Sequence, residues 1–277
     1  MEKLLKRTND LIFKLIFGSE KNLDILEDFL KAVLKLPDEE YSHLQIANPH
    51  STMDKIDDKT IILDVKVYTK SKHVINVEMQ VTESPELRNR IAFYVSKTLT
   101  EQMNRGDDYK LKKVVSILIT DFKLIKENDA YHNVYHLHDA KTGSTFTELI
   151  EINTLEIPKL KAQDESPLVD WLRFLSTNKE EELKMLAGKN KAIEKATTVL
   201  YELSQDDHTR ALYDSREKAK WDEQSRLRGA RDEGIAQGLL KSARNFLKMG
   251  LSTQQVMEGT GLDSDVIEQL RQELSMS

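Results

Sequence analysis

Cysteine is absent from all 277 residues, which excludes disulfide frameworks, thiolate zinc sites and cysteine nucleophiles together. A reducing cytosol fits that absence, so a cytoplasmic protein is expected. Long apolar runs are missing as well: no stretch approaches the length needed to span a bilayer. The opening segment, MEKLLKRTNDLIFKLIFGSEKN, has basic and apolar residues but neither the uninterrupted apolar core nor the small-residue cleavage site of an export signal. Neither export nor membrane insertion is expected. Positive charge is in deficit, with a formal net charge of −6; this weighs against a nucleic-acid partner, because affinity for phosphates comes largely from lysine and arginine. A site for a divalent cation softens the objection, since its carboxylates add negative charge where the metal then offsets it.

What is present is ordinary globular material. The apolar fraction of 39% with 32% charged residues excludes collagen-like, low-complexity and fully disordered classes. The length exceeds what one compact core usually organises, so a domain of ordinary size with an appended helical part is expected.

Residues 21–36, KNLDILEDFLKAVLKL, place Leu23, Leu26, Leu30, Val33 and Leu34 at helical spacing, with Pro37 shortly after. Ahead of them, NDLIFKLIFG gathers Leu11, Phe13, Ile16 and Phe17 and stops at Gly18, as a short helix would. From Ser42 the pattern changes to three short runs rich in Ile and Val, SHLQIANPH, TIILDVKVYT and HVINVEMQVT, which predict strands. PELRNRIAFYVSKTLTEQMNRG then predicts a helix opened near Pro85 and closed by Gly106, with Leu87, Ile91, Val95, Leu99 and Gln102 along one face. KVVSILITDF reads as a strand buried on both faces, and YHNVYHLHD and STFTELIEIN as more exposed strands. After Pro167 no further proline occurs and helix is expected throughout. The expected architecture is α/β, an α-β-β-β-α-β core followed by an all-helical C-terminal region. Its expected segments are residues 1–160, a helical extension over 161–235 and a small helix-turn-helix-like module over 236–277.

Side chains alternate across a strand, so Ile62, Asp64, Lys66 and Tyr68 share one face of the second run, and Asn76, Glu78 and Gln80 share one face of the third. A simple hairpin centred near Ser71 sets Asp64 opposite Glu78 and Lys66 opposite Asn76, with opposed Cβ atoms about 5 Å apart. Like charges directly across strands destabilise a sheet. Such a pair either decorates the wet side of an amphipathic hairpin or holds a cation. Mg2+ is the natural cation, because it takes one or two carboxylates and completes its octahedron with water and substrate phosphate oxygens. Lys66 and Gln80 stand beside the acids, placed to orient a metal-activated water; Lys66 reads equally well as an exposed strand lysine.

Several phrases in this order resemble the PD-(D/E)XK nuclease superfamily, and more specifically the Rpn family of recombination-promoting nucleases and transposases. They are Asn9-Asp10 through Phe13-Lys14 to Phe17-Gly18, ILDVKV around Asp64, NVEMQ at residues 76–80, and Arg90 with Tyr94 leading to EQMNRGDDY. The similarity runs through roughly the first 150 residues. It implies a restriction-endonuclease-like core that cleaves DNA with Mg2+, Mn2+ being the alternative ion. Asp64 and Glu78 would be metal ligands, and the backbone carbonyl of Met79 a further one. Where the superfamily usually has lysine, this chain has Gln80, which can orient water or hydrogen-bond a phosphate but can act neither as cation nor as base. The resemblance makes that substitution ordinary within the Rpn group and leaves the proton acceptor unnamed.

Asp10 and Lys14, one helical turn apart, either reach toward this site or form an i,i+4 surface pair; Tyr94 and Gln102 are further accessory candidates. His132, His136 and His138 share a strand face, where a satisfied polar strand is commoner than a zinc cluster. The mixed charges of Arg216 to Arg231 suit a solvated helix face, and the acidic last helix suits packing or dimerisation better than reading a DNA groove. The function expected is a metal-dependent DNA endonuclease acting in recombination or in a mobile element, with a homodimer as the assembly that most simply cuts both strands of a duplex. The alternative is a catalytically weak DNA-binding or protein-interaction module that keeps the fold.

Overall fold

The protein is represented by a computed structural model, which describes residues 4–47, 65–104 and 108–275. The chain packs as two compact units, Met1–Tyr213 and Asp214–Ser277.

In the first unit, α1 (Asp10–Phe17), α2 (Leu23–Val33) and the short α3 (Asp38–Tyr41) precede β1 (Gln45–Ile46), β2 (Val65–Tyr68) and β3 (Val74–Gln80). Then follow α4 (Leu87–Thr100), β4 (Val114–Thr120), β5 (His132–His138) and β6 (Thr145–Glu156). Helices α5 (Pro167–Ser176), α6 (Glu180–Lys189) and α7 (Lys191–Gln205) complete the unit with the start of α8 (Asp207–Lys248). The order through β4 is the α-β-β-β-α-β core expected from the sequence. The strands form one mixed sheet in the order β1-β2-β3-β4-β6-β5. The pairs β3–β4 and β4–β6 are parallel, and the other pairs are antiparallel.

Period-two alternation divides this sheet between two apolar layers. Val65, Val67, Ile75, Val77, Val115 and Ile117 face the helices α1, α2, α5, α6 and α7, whereas Val74, Val114 and Leu118 face Leu87, Ile91 and Val95 of α4. β4 is buried along its whole length, in keeping with its nearly continuous apolar run. The larger layer is anchored by rings: Phe17 lies 5.4 Å from Phe29 and 5.5 Å from Trp171 of α5, centroid to centroid. The Trp171 indole N–H donates to Asp28 of α2 at 2.7 Å, so the one polar atom of this buried ring is satisfied. Helices after residue 160 thus share the core of the sheet.

One buried ion pair fixes a loop. Glu156, at the end of β6, accepts the backbone N–H groups of Leu124 and Ile125 at 2.8 and 3.1 Å and bridges to Lys159 at 3.0 Å. This holds the loop leaving β4 against the sheet. The sheet's two outer strands are irregular: β1 has two residues, and β5 shifts register twice against β6, between His136 and Leu137 and between Leu137 and His138.

α4 ends at Thr100, earlier than the stop at Gly106 expected from the sequence; Gly106 lies outside the described residues. The second unit holds the rest of α8 with α9 (Thr253–Thr260) and α10 (Ser264–Ser275) around Ala243, Val256, Ile267 and Leu270. Ser252 and Gln255 form the capping box that starts α9, and Gly261 takes the left-handed conformation (φ 69°) that ends it.

α1 shows how local chemistry sets these boundaries. Asn9 caps it by accepting the Leu11 N–H at 3.0 Å, and Gly18 ends it, its N–H donating to the Lys14 carbonyl at 2.7 Å. A Cβ on Gly18 would stand 2.8 Å from that carbonyl oxygen, so the closing turn of α1 itself requires glycine, while the Val65 methyl of β2, 3.4 Å away, would be in ordinary contact. Gly18→Ala should therefore destabilise the first unit by about 1–3 kcal/mol through overpacking against backbone, read as a lower urea midpoint with unchanged slope.

Candidate active site

The hairpin β2–β3 carries the residues the sequence singled out. Its ladder pairs Val65 with Val77 and Lys66 with Asn76, the register of a hairpin centred on Ser71. Asp64 lies outside the described residues. The turn is a three-residue loop: the Thr69 N–H donates to the His73 carbonyl at 3.0 Å, the Lys72 N–H to the Thr69 carbonyl at 2.9 Å, and Lys72 is left-handed at φ 66°. Glu40, from α3, grips that turn. Its carboxylate accepts the Thr69 hydroxyl at 2.6 Å, the Ser71 N–H at 3.1 Å and the Ser71 hydroxyl.

Alternation along β3 sends Glu78 and Gln80 to the α4 side of the sheet, with Lys66 and Tyr68 of β2 on the same side. Glu78 is 14% exposed and receives Arg90 of α4, whose guanidinium N–H lies 3.1 Å from the carboxylate oxygen Oε1. The Gln80 side-chain amide donates to that same oxygen. Acid, amide and guanidinium thus meet at one point, and Arg90 is the member whose contact sequence reasoning missed. The available signal was helical phase: with Leu87, Ile91 and Val95 buried, Arg90 lies on the flank of α4 next to the sheet's polar face.

Met79 points its side chain into the larger core, and its backbone carbonyl is the atom of interest. The Gln80 carbonyl accepts the Asp121 N–H on the β4 side. Successive carbonyls of a strand point in opposite directions, so the Met79 carbonyl points toward the β2 side. A carboxylate and a backbone carbonyl are hard oxygen donors of the kind Mg2+ takes, and the donor chemistry of Glu78 and Met79 fits that ion. Among the described residues no group of three or more histidine, aspartate or glutamate side chains is arranged to hold a metal.

The accessory candidates separate. Lys14 is 6% exposed, so it is not a surface lysine; α1 lies against β3 and against the start of β2. Asp10 accepts the N–H of Leu11 at 2.9 Å. Tyr94 stands exposed one helical turn beyond Arg90. Gln102 is at the opposite end of α4, where its side-chain amide clamps both backbone groups of Lys112, at 3.0 and 2.7 Å, ahead of β4. His132 hydrogen-bonds Asn153 at 2.8 Å, and the His136 and His138 rings pack at 5.7 Å, a polar strand face.

An acid-bearing hairpin in a mixed sheet, with helices on both faces and a long helical region following, is consistent with the PD-(D/E)XK nuclease fold. The chain belongs to the PD-(D/E)XK nuclease family transposases, whose family model matches residues 7–230. This agrees with the resemblance read from the hairpin and its flanking phrases, and it gives the chain a nuclease- or transposase-related role. No curated protein and no solved structure matches the chain. No helix among the described residues is long and apolar enough to cross a membrane.

The grip on the turn is charge-dependent. Hydrogen bonds from the Ser71 and Thr69 hydroxyls pull the Glu40 carboxyl down to about 2 from its ordinary 4.5. A depressed carboxyl stabilises the fold above its unfolded pKa and loses that contribution as pH falls toward the folded one. The stability of the first unit should therefore drop between about pH 4.5 and pH 2, and Glu40→Gln should flatten this part of the curve while lowering the plateau by about 1–3 kcal/mol. Urea midpoints across that range, compared with wild type, provide the check.

Proposed function

We propose that this chain is a Mg2+-dependent DNA endonuclease that hydrolyses phosphodiester bonds in recombination or in the service of a mobile element. The observation that carries the reading is Glu78, a mostly buried carboxylate on the central hairpin with Gln80 and Arg90 converging on it. Family membership and the register of Lys66 against Asn76 support it. Asp64 and Glu78, with the Met79 carbonyl, are the groups assigned to hold the ion. A bound Mg2+ supplies a water of lowered pKa and offsets charge on the phosphodiester.

The other roles belong to this chain's own side chains. Gln80 holds the attacking water by hydrogen bonds from its amide, having no charge to offer. Lys66 brings the cation that Gln80 lacks to the same face of the hairpin. Tyr94 is the accessory candidate on the Glu78 side of the sheet, whereas Asp10 and Lys14 belong to α1, packed in the other layer; Gln102, committed to Lys112, acts at most through the position of α4. Residues 1–160 form the nuclease segment in this reading, 161–235 its helical extension and 236–277 a small helical module. The enzyme works in the cytoplasm, as a homodimer when both strands of a duplex are cut, since two sites related by a two-fold axis accomplish that most simply.

A second reading, a DNA-binding or protein-interaction module with little catalysis, draws on the same geometry. Glu78 is held by groups of the chain itself, and the net charge is −6. Incubation with supercoiled plasmid separates the two. The endonuclease should nick it with Mg2+ and stop on addition of EDTA, and Asp64→Ala and Glu78→Ala should each lower the rate by roughly a hundredfold or more with circular dichroism unchanged. An undiminished rate in either folded variant would remove the hairpin from the mechanism; no nicking by wild type, with DNA still bound, would favour the second reading.

A further inference from the structure

α4 buries Leu87, Ile91 and Val95 against the sheet, and its outer side should be polar. Instead Phe93 is 62% and Tyr94 51% exposed, and their rings pack edge to face with centroids 5.5 Å apart. Two adjacent large rings left in water forgo the burial that each could have found, which marks the pair as a contact surface.

Its surroundings identify the partner. Arg90, Phe93, Tyr94 and Lys97 stand at i, i+3, i+4 and i+7, one stripe along the helix. A guanidinium lies at one end of the rings and an exposed ammonium at the other, the latter 3.7 Å from Glu101. Arg90 is also the residue that touches Glu78, so the rings begin about one helical turn, some 5–6 Å, from the residue that holds the acid. A ligand that is flat and apolar on one side and anionic along its edge meets all of these groups at once, and a nucleotide of a DNA strand has that form. Stacked bases in an intact duplex hide their faces, so aromatic rings engage only bases that are single-stranded or swung out of the helix.

We infer that Phe93 and Tyr94 form a stacking platform for an unstacked base next to the bond to be cut, so that the preferred substrate is DNA with unpaired nucleotides at the site: single strands, bulges or frayed ends. This rests on the endonuclease reading for the place of the cut, but the platform can be tested without cleavage.

The full-length protein in EDTA is titrated into fluorescein-labelled oligonucleotides of one sequence, as single strand, as duplex with a central bulge and as fully paired duplex, and anisotropy is recorded. The single strand and the bulged duplex should bind more tightly than the paired duplex. The Phe93→Ala/Tyr94→Ala variant should lose about tenfold or more on those two and change little on the third. Phe93→Tyr/Tyr94→Phe, which keeps both rings, should bind like wild type, and circular dichroism checks the fold of each variant. Tyr94→Trp adds a direct reporter, an indole signal quenched by the single strand beyond what wild type shows.

Equal affinity for all three DNAs overturns the inference, as does an equal loss on all three in the alanine variant. A variant with unaltered DNA binding and a lower mass in sedimentation also overturns it, assigning the rings to a second copy of this chain. Failure of plasmid nicking in Mg2+ while the strand preference persists in EDTA would sink the endonuclease reading and leave the platform standing.

Discussion

The β2–β3 register is the constraint on which the rest depends. A slip of one residue in a ladder turns every side chain of the strand to the other face. Here that would put Val65 and Val67 against α4, and Lys66 and Tyr68 into the aromatic core. Two devices hold the register. Apolar residues alternate strictly on both strands, and the turn is built for this pairing alone, with Lys72 left-handed and Glu40 taking up two hydroxyls and an amide. Glu40 lies 29 and 31 residues ahead of its partners Thr69 and Ser71, so the turn is specified from outside as well as from within.

The two layers around the sheet serve different ends. The larger one, with Phe17, Phe29 and Trp171 at its centre, is a dense hydrophobic mass that fixes α1, α2 and α5–α7. The smaller one rests on a single helix and few buried side chains. That economy leaves the α4 side of β3 open enough for Glu78 and Gln80 to remain partly solvated while Arg90 reaches them. A second thick layer would have forced the acid into an apolar interior, where an ionised carboxylate is costly. The polar face of the hairpin exists because α4 covers only part of it.

Much of this was legible in the sequence wherever the determining information is local. Gly18 marks the end of α1, the run Val114–Thr120 a strand covered on both sides, and the period of two in β2 and β3 the partition of their faces. Even the register followed, because the loop between the strands is short. What stayed hidden depends on chain segments distant in number meeting in space. Nothing in the run of acids at 38–40 says that Glu40 will hold a turn at 69–71. Lys14 reads as a surface residue until α1 is laid on the sheet. Gln102 continues the stripe of α4 by spacing, yet the helix has ended at Thr100 and the amide turns to the backbone of Lys112. The three histidines read as a set, but a doubled register shift breaks the regularity of their strand.

That irregularity reaches beyond the histidines. A sheet invites foreign strands wherever a long, straight border leaves its N–H and C=O groups unclaimed, and such borders are where aggregation begins. At one margin of this sheet the described strand is only two residues long, and at the other the register breaks over the last three residues of β5. Among the described residues neither margin offers a long, regular template for annealing by main-chain hydrogen bonds. A second copy joining this protein is therefore steered toward recognition by side chains, which leaves specificity in the hands of individual residues rather than of the backbone that every protein shares.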